Sequence, residues 1–304
     1  MSAPAPAWAV TRPGRTDLAL MAAAVVGISF SGPLTALVTA SFLAIAFWRN
    51  ATGALVLLPV LVRGRASLVG LRALDLASSA VAGLFLAAHF AAWLPSLSMT
   101  TVAASTALVT TTPIWTALAA RASGISLPRQ VWWGLALAVL GAALITGVDV
   151  TVSWRALAGD GLALLGAVCA GGYMLAGARA RERLSTAAYA VTCYAICAAV
   201  LAVAAAVAGL PLWGFSARDW WLIAAITCCA QLLGHTLLNR VLSTVGPTVV
   251  GLAVLLEVPG ALLVAVVLLG QAPPLMALPG LLAVVIGVAL VVRASRSPEA
   301  GPPS

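Results

Sequence analysis

The 304-residue sequence contains no lysine, and only 8% of its residues are charged. Soluble domains carry about 25% charged residues. With so few, a chain of this length cannot cover its surface in water, so a soluble globular protein is excluded and lipid is the main solvent. All 16 basic residues are arginines, against 8 acidic residues, and the pI is near 10.3. Nucleic acid binding is excluded by distribution. The arginines sit singly or in small groups between apolar runs, not on one basic face.

Cysteine is scarce as well. Cys169, Cys193, Cys197, Cys228 and Cys229 all fall in apolar runs, their number is odd, and none forms a CxxC pair. They are expected to be packing residues, with no disulfide and no metal. No GxxxxGK[ST], HExxH or GxSxG motif is present, so no ATP site, zinc helix or serine nucleophile is indicated. No cofactor is expected, and the chain is not read as an enzyme.

What fills the chain is apolar: 62% hydrophobic residues and a mean hydropathy of +1.10. A spanning helix needs about 20 apolar residues. Runs of that kind fall at about 18–37, 40–62, 74–94, 100–120, 131–148, 160–178, 187–208, 220–240, 246–269 and 275–293. This predicts an all-α integral membrane protein with ten transmembrane helices. The breaks carry arginine, glycine or proline, as at Arg63-Gly64-Arg65, Arg218-Asp219 and Pro273-Pro274. Those near residues 38 and 97 carry no charge, and merging across one would leave nine spans. The first run is too long for the apolar core of a signal peptide and has a counterpart later in the chain, so it is expected to remain as a helix.

Arginine placement sets the orientation. With the N-terminus inside, Arg155 and Arg218 fall outside, Arg49 lies within a span, and every other arginine falls inside. The positive-inside rule then puts both termini in the cytoplasm of a protein of the cell membrane.

The chain also repeats itself. A shift of 146 residues pairs His89 with His235, Pro113 with Pro259, Gly124 with Gly270, Pro128 with Pro274, Gly134 with Gly280 and Gly141 with Gly287. The first helices align at Leu18-Ala19-Leu20 and Leu162-Ala163-Leu164. Chance matches here would involve alanine, leucine and valine; these involve proline, glycine and both histidines. The expected organisation is a tail at 1–17, a first five-helix repeat at 18–148, an external linker at 149–159, a second repeat at 160–293 and a tail at 294–304. Five spans is an odd number, so equivalent helices cross the bilayer in opposite directions. Such inverted repeats are common in secondary transporters.

Several marks coincide: two sets of five spans, Phe47-Trp48-Arg49-Asn50 early in the second helix, a proline in each fourth helix, a glycine-rich fifth helix, and Leu255-Leu256-Glu257-Val258-Pro259. In these the chain resembles the drug/metabolite transporter superfamily of EamA type, over residues 18–293. Where that family often has a Gly-Glu pair closing a fourth helix, this sequence has Gly270-Gln271 and Gly124-Ile125. The resemblance implies a ten-helix basket with a cavity between helices 1, 3, 4, 6, 8 and 9, and export of metabolites, amino acids or drugs.

Glu257 is the sharpest candidate site residue. It lies inside the ninth span, two residues before Pro259. A charge there is costly unless it faces a cavity or a partner. Pro259 can free a carbonyl near Leu255, and a carboxylate beside broken backbone is a site for a cation or a proton. His89 and His235 occupy equivalent positions and could shuttle protons, or each could be bonded within the bundle. Gln231, His235 and Asn239, at i, i+4 and i+8, form one polar stripe, either lining a cavity or gluing helices. Thr111 is the repeat equivalent of Glu257, and Trp93 that of Asn239. Arg49 is read as structural, near the outer end of its helix and able to snorkel to the interface; Pro113 and Pro259 are structural too. Most other tryptophans read as an interfacial belt.

The leading reading is a secondary transporter of a small organic molecule, embedded in lipid, with protons as the candidate coupling ion through Glu257. A channel or facilitator is the alternative. An intramembrane enzyme is a third reading, open only if both histidines and Glu257 meet at a metal. Oligomeric state is not fixed, although ten spans can enclose a cavity in one chain.

Overall fold

The computed structural model describes residues 13–64, 73–100, 102–146, 153–270 and 277–294. Most of both tails, residues 147–152 with the start of the expected linker, the Pro273-Pro274 break, Gln271, and Arg12, Arg65, Arg72 and Arg296 lie outside the described residues. Within them every element is a helix. The first half contains α1 (Arg15–Ser29), α2 (Ser31–Ala36), α3 (Phe42–Arg63), α4 (Ala73–Ser96), α5 (Val102–Val109), α6 (Thr112–Ala122) and α7 (Arg129–Thr146). The second contains α8 (Trp154–Arg181), α9 (Thr186–Val207), α10 (Ala217–Ile226), a π-helix (Thr227–His235), α11 (Thr236–Val245), α12 (Pro247–Val254), α13 (Glu257–Leu269) and α14 (Ala277–Ala294).

Among the described residues, seven helical segments are long and apolar enough to cross a bilayer: Arg15–Ala36, Phe42–Arg63, Leu76–Ser96, Trp154–Arg181, Thr186–Val207, Ala217–Val245 and Pro247–Leu269. Arg129–Leu144 and Pro279–Val291 are apolar but shorter. The two uncharged breaks are real: residues 37–41 and 97–100 are not helical. The segment expected at 100–120 is not one continuous helix. It turns at Thr110-Thr111, where Thr111 N–H bonds the Leu108 carbonyl at 3.2 Å and Ile114 N–H bonds the Thr111 carbonyl at 2.9 Å. The equivalent region before Pro259 turns at Leu255-Leu256. Proline has no N–H to reach back four residues, and the Leu255 carbonyl is instead met by Val258 N–H at 3.3 Å. Helix α8 starts at Trp154, inside the stretch expected to be linker.

The repeat shows in the helix starts. Ser41 caps α3 by accepting from Ala44 N–H at 3.2 Å. Its counterpart Ser185 caps α9 by accepting from Ala188 N–H, also at 3.2 Å. Each satisfies one donor that a helix start leaves over.

Small residues let backbones touch where lipid provides no hydrophobic drive between helices. A Cβ at Gly134 would come within 2.6 Å of the Gly287 carbonyl, and one at Gly141 within 2.6 Å of the Gly280 carbonyl. The pairs run in opposite order along α7 and α14, so these helices are antiparallel. Since Gly280 and Gly287 are the repeat mates of Gly134 and Gly141, the contact is reciprocal. Around this pair lies one core cluster, built on residues such as Leu135, Ala138 and Val284. A larger cluster joins α1, α3, α4, α8, α9 and α11. Trp133, Trp154, Trp213 and Trp221 are 65–87% exposed, whereas Trp93 is 3% exposed.

Candidate solute-binding cavity

An internal cavity of about 50 Å³ sits where the first, third, fourth, sixth, eighth and ninth apolar segments meet. Its polar wall combines Ser31, His89, Trp93, Tyr173, His235, Asn239 and Glu257. Met174, Leu238, Leu242, Val250 and Val254 supply much of the apolar remainder.

His89 and Trp93 are one turn apart on α4, so they share a face, and their rings stack at 5.5 Å with a 24° tilt. His89 Nδ1 lies 2.9 Å from the Gly166 carbonyl of α8. A carbonyl only accepts, so Nδ1 carries the proton and the neutral ring keeps Nε2 as an acceptor. His235 closes the π-helix, with its ring 5.8 Å from Phe90 and 6.0 Å from Tyr173.

Tyr173 donates to Asn239 Oδ1 at 2.6 Å, and Asn239 Nδ2 donates to the Tyr194 oxygen at 3.2 Å. Tyr194 lies 3.1 Å from Thr236 Oγ1, whose own proton goes to the Gln231 carbonyl at 3.0 Å. Tyr194 is therefore the donor to Thr236, and the chain of bonds has one direction. It fixes Tyr173 and Asn239 in the wall.

Glu257 opens α13 at the turn before Pro259 and is buried, with its small exposure in the cavity wall. Five of the seven residues singled out for binding thus meet: His89, Trp93, His235, Asn239 and Glu257. Two do not. Thr111 turns its hydroxyl to the Leu108 carbonyl at 2.7 Å, the local bond that hydroxyls in helices readily make. Gln231 is drawn off the expected stripe by the π-helix, whose i→i+5 bonding widens the turn. It is fully buried behind the wall, accepting from Arg49 Nε at 3.0 Å and donating to Asn50 Oδ1 at 3.1 Å.

Arg49 does not snorkel to an interface. It is fully buried, donates to Ser31 Oγ at 3.2 Å as well as to Gln231, and stacks over Phe90 at 4.5 Å. Two polar partners reach its Nε and Nη1 from other segments, while its Nη2 is buried without a hydrogen-bond partner. Pro113 packs against Gly251, where a Cβ would come within 3.2 Å of its ring. Pro259 is buried in the first turn of α13.

Two stretches, residues 17–147 and 157–293, each match the model of the EamA-like transporter family. The chain belongs to that family. No curated protein matches it in sequence. Among solved structures, one crystal structure superimposes with a TM-score of 0.73 at 18% identity, covering 92% of this chain and 98% of its own. At that identity the likeness is one of fold.

For this EamA-like chain the sequence reading missed Ser31, Tyr173 and Tyr194. A signal existed: the chain has three tyrosines, and Tyr173, Tyr189 and Tyr194 all lie in apolar runs, where a phenol usually finds a partner. Among the described residues no group of three or more histidine, cysteine, aspartate or glutamate side chains could hold a metal ion.

Proposed function

We propose that this protein is a secondary transporter that moves small organic solutes by alternating access through the cavity, in the direction of export. In this reading ten spans form two inverted five-helix repeats, residues 18–148 and 160–293, joined by an external linker. Both termini lie on the cytoplasmic side of the cell membrane. The observation that carries the reading is a carboxylate, Glu257, at a helix break on the wall of a cavity that both halves build. The antiparallel, reciprocal glycine contact of α7 and α14 supports an axis in the membrane plane, and inverted repeats suit exchange between two conformations.

Glu257 is the coupling residue in this account, binding a proton or a cationic group in turn. Asn239, Trp93 and the two histidines shape the solute site, while Arg49 and Gln231 hold the helices behind it. Thr111 is assigned no contact with the solute.

The test is protection in a host stripped of its own exporters, challenged with toxic amino acids, metabolites and cationic drugs. Wild type is compared with Glu257→Gln at matched membrane expression. Protection by wild type that the variant loses supports export with Glu257 in the mechanism. Equal protection by both removes Glu257 from it. Greater sensitivity with wild type reverses the direction, and no effect from any compound counts against the transporter reading.

A further inference from the structure

Several hydrogens of the cavity wall are spent on the protein itself. His89 gives its Nδ1 proton to Gly166, and Tyr173 gives its phenol proton to Asn239. Thr110 and Thr112 give theirs to the Ala107 and Val109 carbonyls at 2.9 and 2.8 Å. What these groups retain are lone pairs, at His89 Nε2 and at the Tyr173 oxygen. Glu257 adds a carboxylate, which when ionised only accepts.

Donors are fewer. Ser31 accepts from Arg49, which leaves its own hydroxyl proton. The Trp93 indole N–H is buried without a partner. His235 and Asn239 can each offer one more N–H. These are neutral groups that water or a hydroxyl satisfies equally well. Arg49, the nearby formal cation, stands behind Ser31 and Phe90 and is not part of the wall.

We infer that the solute class of this cavity is a small primary amine, bound as its ammonium ion, with N–H groups directed to Glu257, His89 Nε2 and the Tyr173 oxygen. The inference rests on the transporter reading of the same site and narrows it. An ammonium group is all donor, and hydrogen bonds to a charged partner are the strong ones. Trp93 and Tyr173 also border the cavity, and aromatic rings attract a cation that reaches their faces. A carboxylate solute meets the like charge of Glu257 and no cation in the wall, and is disfavoured. Size points the same way. The cavity of about 50 Å³ is well below the roughly 150 Å³ cavity that takes up benzene in an engineered protein. In this conformation the site closes around a head group and a short chain.

The test uses full-length protein in lipid nanodiscs. Binding is followed by tryptophan fluorescence and by the thermal unfolding midpoint. Methylamine, ethylamine and propylamine are compared with the alcohols of the same length, with acetate and propionate, and with tetramethylammonium. Primary amines are expected to bind at least about tenfold more tightly than the matching alcohols, the factor that one good charge-assisted hydrogen bond supplies. Tetramethylammonium, which has charge but no N–H, is expected to bind more weakly than methylamine. Glu257→Gln is expected to shrink the preference for amines to less than about threefold. Should that variant not fold, the ligand series on wild type decides alone. Alcohols or carboxylates binding as tightly as amines, tetramethylammonium matching methylamine, or no binding by any amine overturns the assignment.

Flux in proteoliposomes separates this result from the reading beneath it. Amines that bind but are not moved contradict the transporter and leave the binding class standing. Another solute that is moved, with amines neither binding nor competing, contradicts the class and leaves the transporter standing.

Discussion

Tyr173 and Asn239 are tied across the cavity wall, the phenol donating to the amide oxygen at 2.6 Å. The bond links α8 to α11, and the other end of the amide reaches Tyr194 on α9. Three helices thus hold their register through one side chain. In Tyr173→Phe the buried Asn239 oxygen loses its donor, and the expected cost is about 1–3 kcal/mol of stability. Asn239→Leu should cost a similar amount alone. Together the two changes should fall short of the sum by at least about 0.5 kcal/mol, since contacting residues couple. Thermal unfolding in nanodiscs measures all three variants, and strictly additive losses would contradict the bond's role.

The glycine contact of α7 and α14 makes a second prediction. A methyl at Gly134 or Gly287 collides with a backbone carbonyl at 2.5–2.6 Å, and backbone cannot swing aside. Gly134→Ala and Gly287→Ala are expected to destabilise by about 1–3 kcal/mol through overpacking. Gly161→Ala, where nothing lies within 4 Å, is expected to be nearly silent. Equal unfolding midpoints for all three would contradict the close packing.

Length and composition made the apolar segments legible, because a span declares itself locally. The repeat made the pairing of His89 with His235 legible, and both line the cavity. What escaped depended on partners far off in sequence. Arg49 looked like an interfacial arginine because Gln231, which accepts from it, stands 182 residues away. Gln231 looked like part of a stripe because i, i+4 spacing assumes an α-helix, and a π-helix is not written in apolar periodicity. Thr111 inherited its expectation from Glu257 by symmetry. A hydroxyl, unlike a carboxylate, can settle on its own helix.

Arg49 leads to a third prediction. Its fork reaches Gln231 and Ser31 at once while its face lies over Phe90. Lysine offers a point charge with neither the fork nor the plane. Arg49→Lys is therefore expected to destabilise the fold, by an amount comparable to Arg49→Gln, despite keeping the charge. Unfolding midpoints and the yield of monodisperse protein report it, and a wild-type midpoint for Arg49→Lys would show that charge alone suffices.

A fourth prediction concerns the two ends of the first and eighth segments. At one end Asp219 accepts from Thr39 N–H at 2.9 Å and from its hydroxyl at 2.7 Å. At the other Asp17 accepts from the Thr244 hydroxyl at 3.0 Å. Under alternating access these contacts are released in turn. With Val250→Cys as a reporter in the cavity and the native cysteines replaced, Asp219→Ala should raise labelling by a reagent applied outside. Thr244→Val should raise labelling from the cytoplasmic side. Unchanged labelling from both sides would show that neither contact restrains an opening.

The most direct test of the central claim is counterflow in proteoliposomes, using a solute against which the protein protects cells. Vesicles are loaded with unlabelled solute, and uptake of a labelled trace is followed in wild type and Glu257→Gln. A carrier whose cavity opens to one side at a time predicts a transient accumulation of label that needs internal solute and saturates. Uptake that rises linearly with concentration and ignores the solute inside would contradict alternating access and indicate an open pathway.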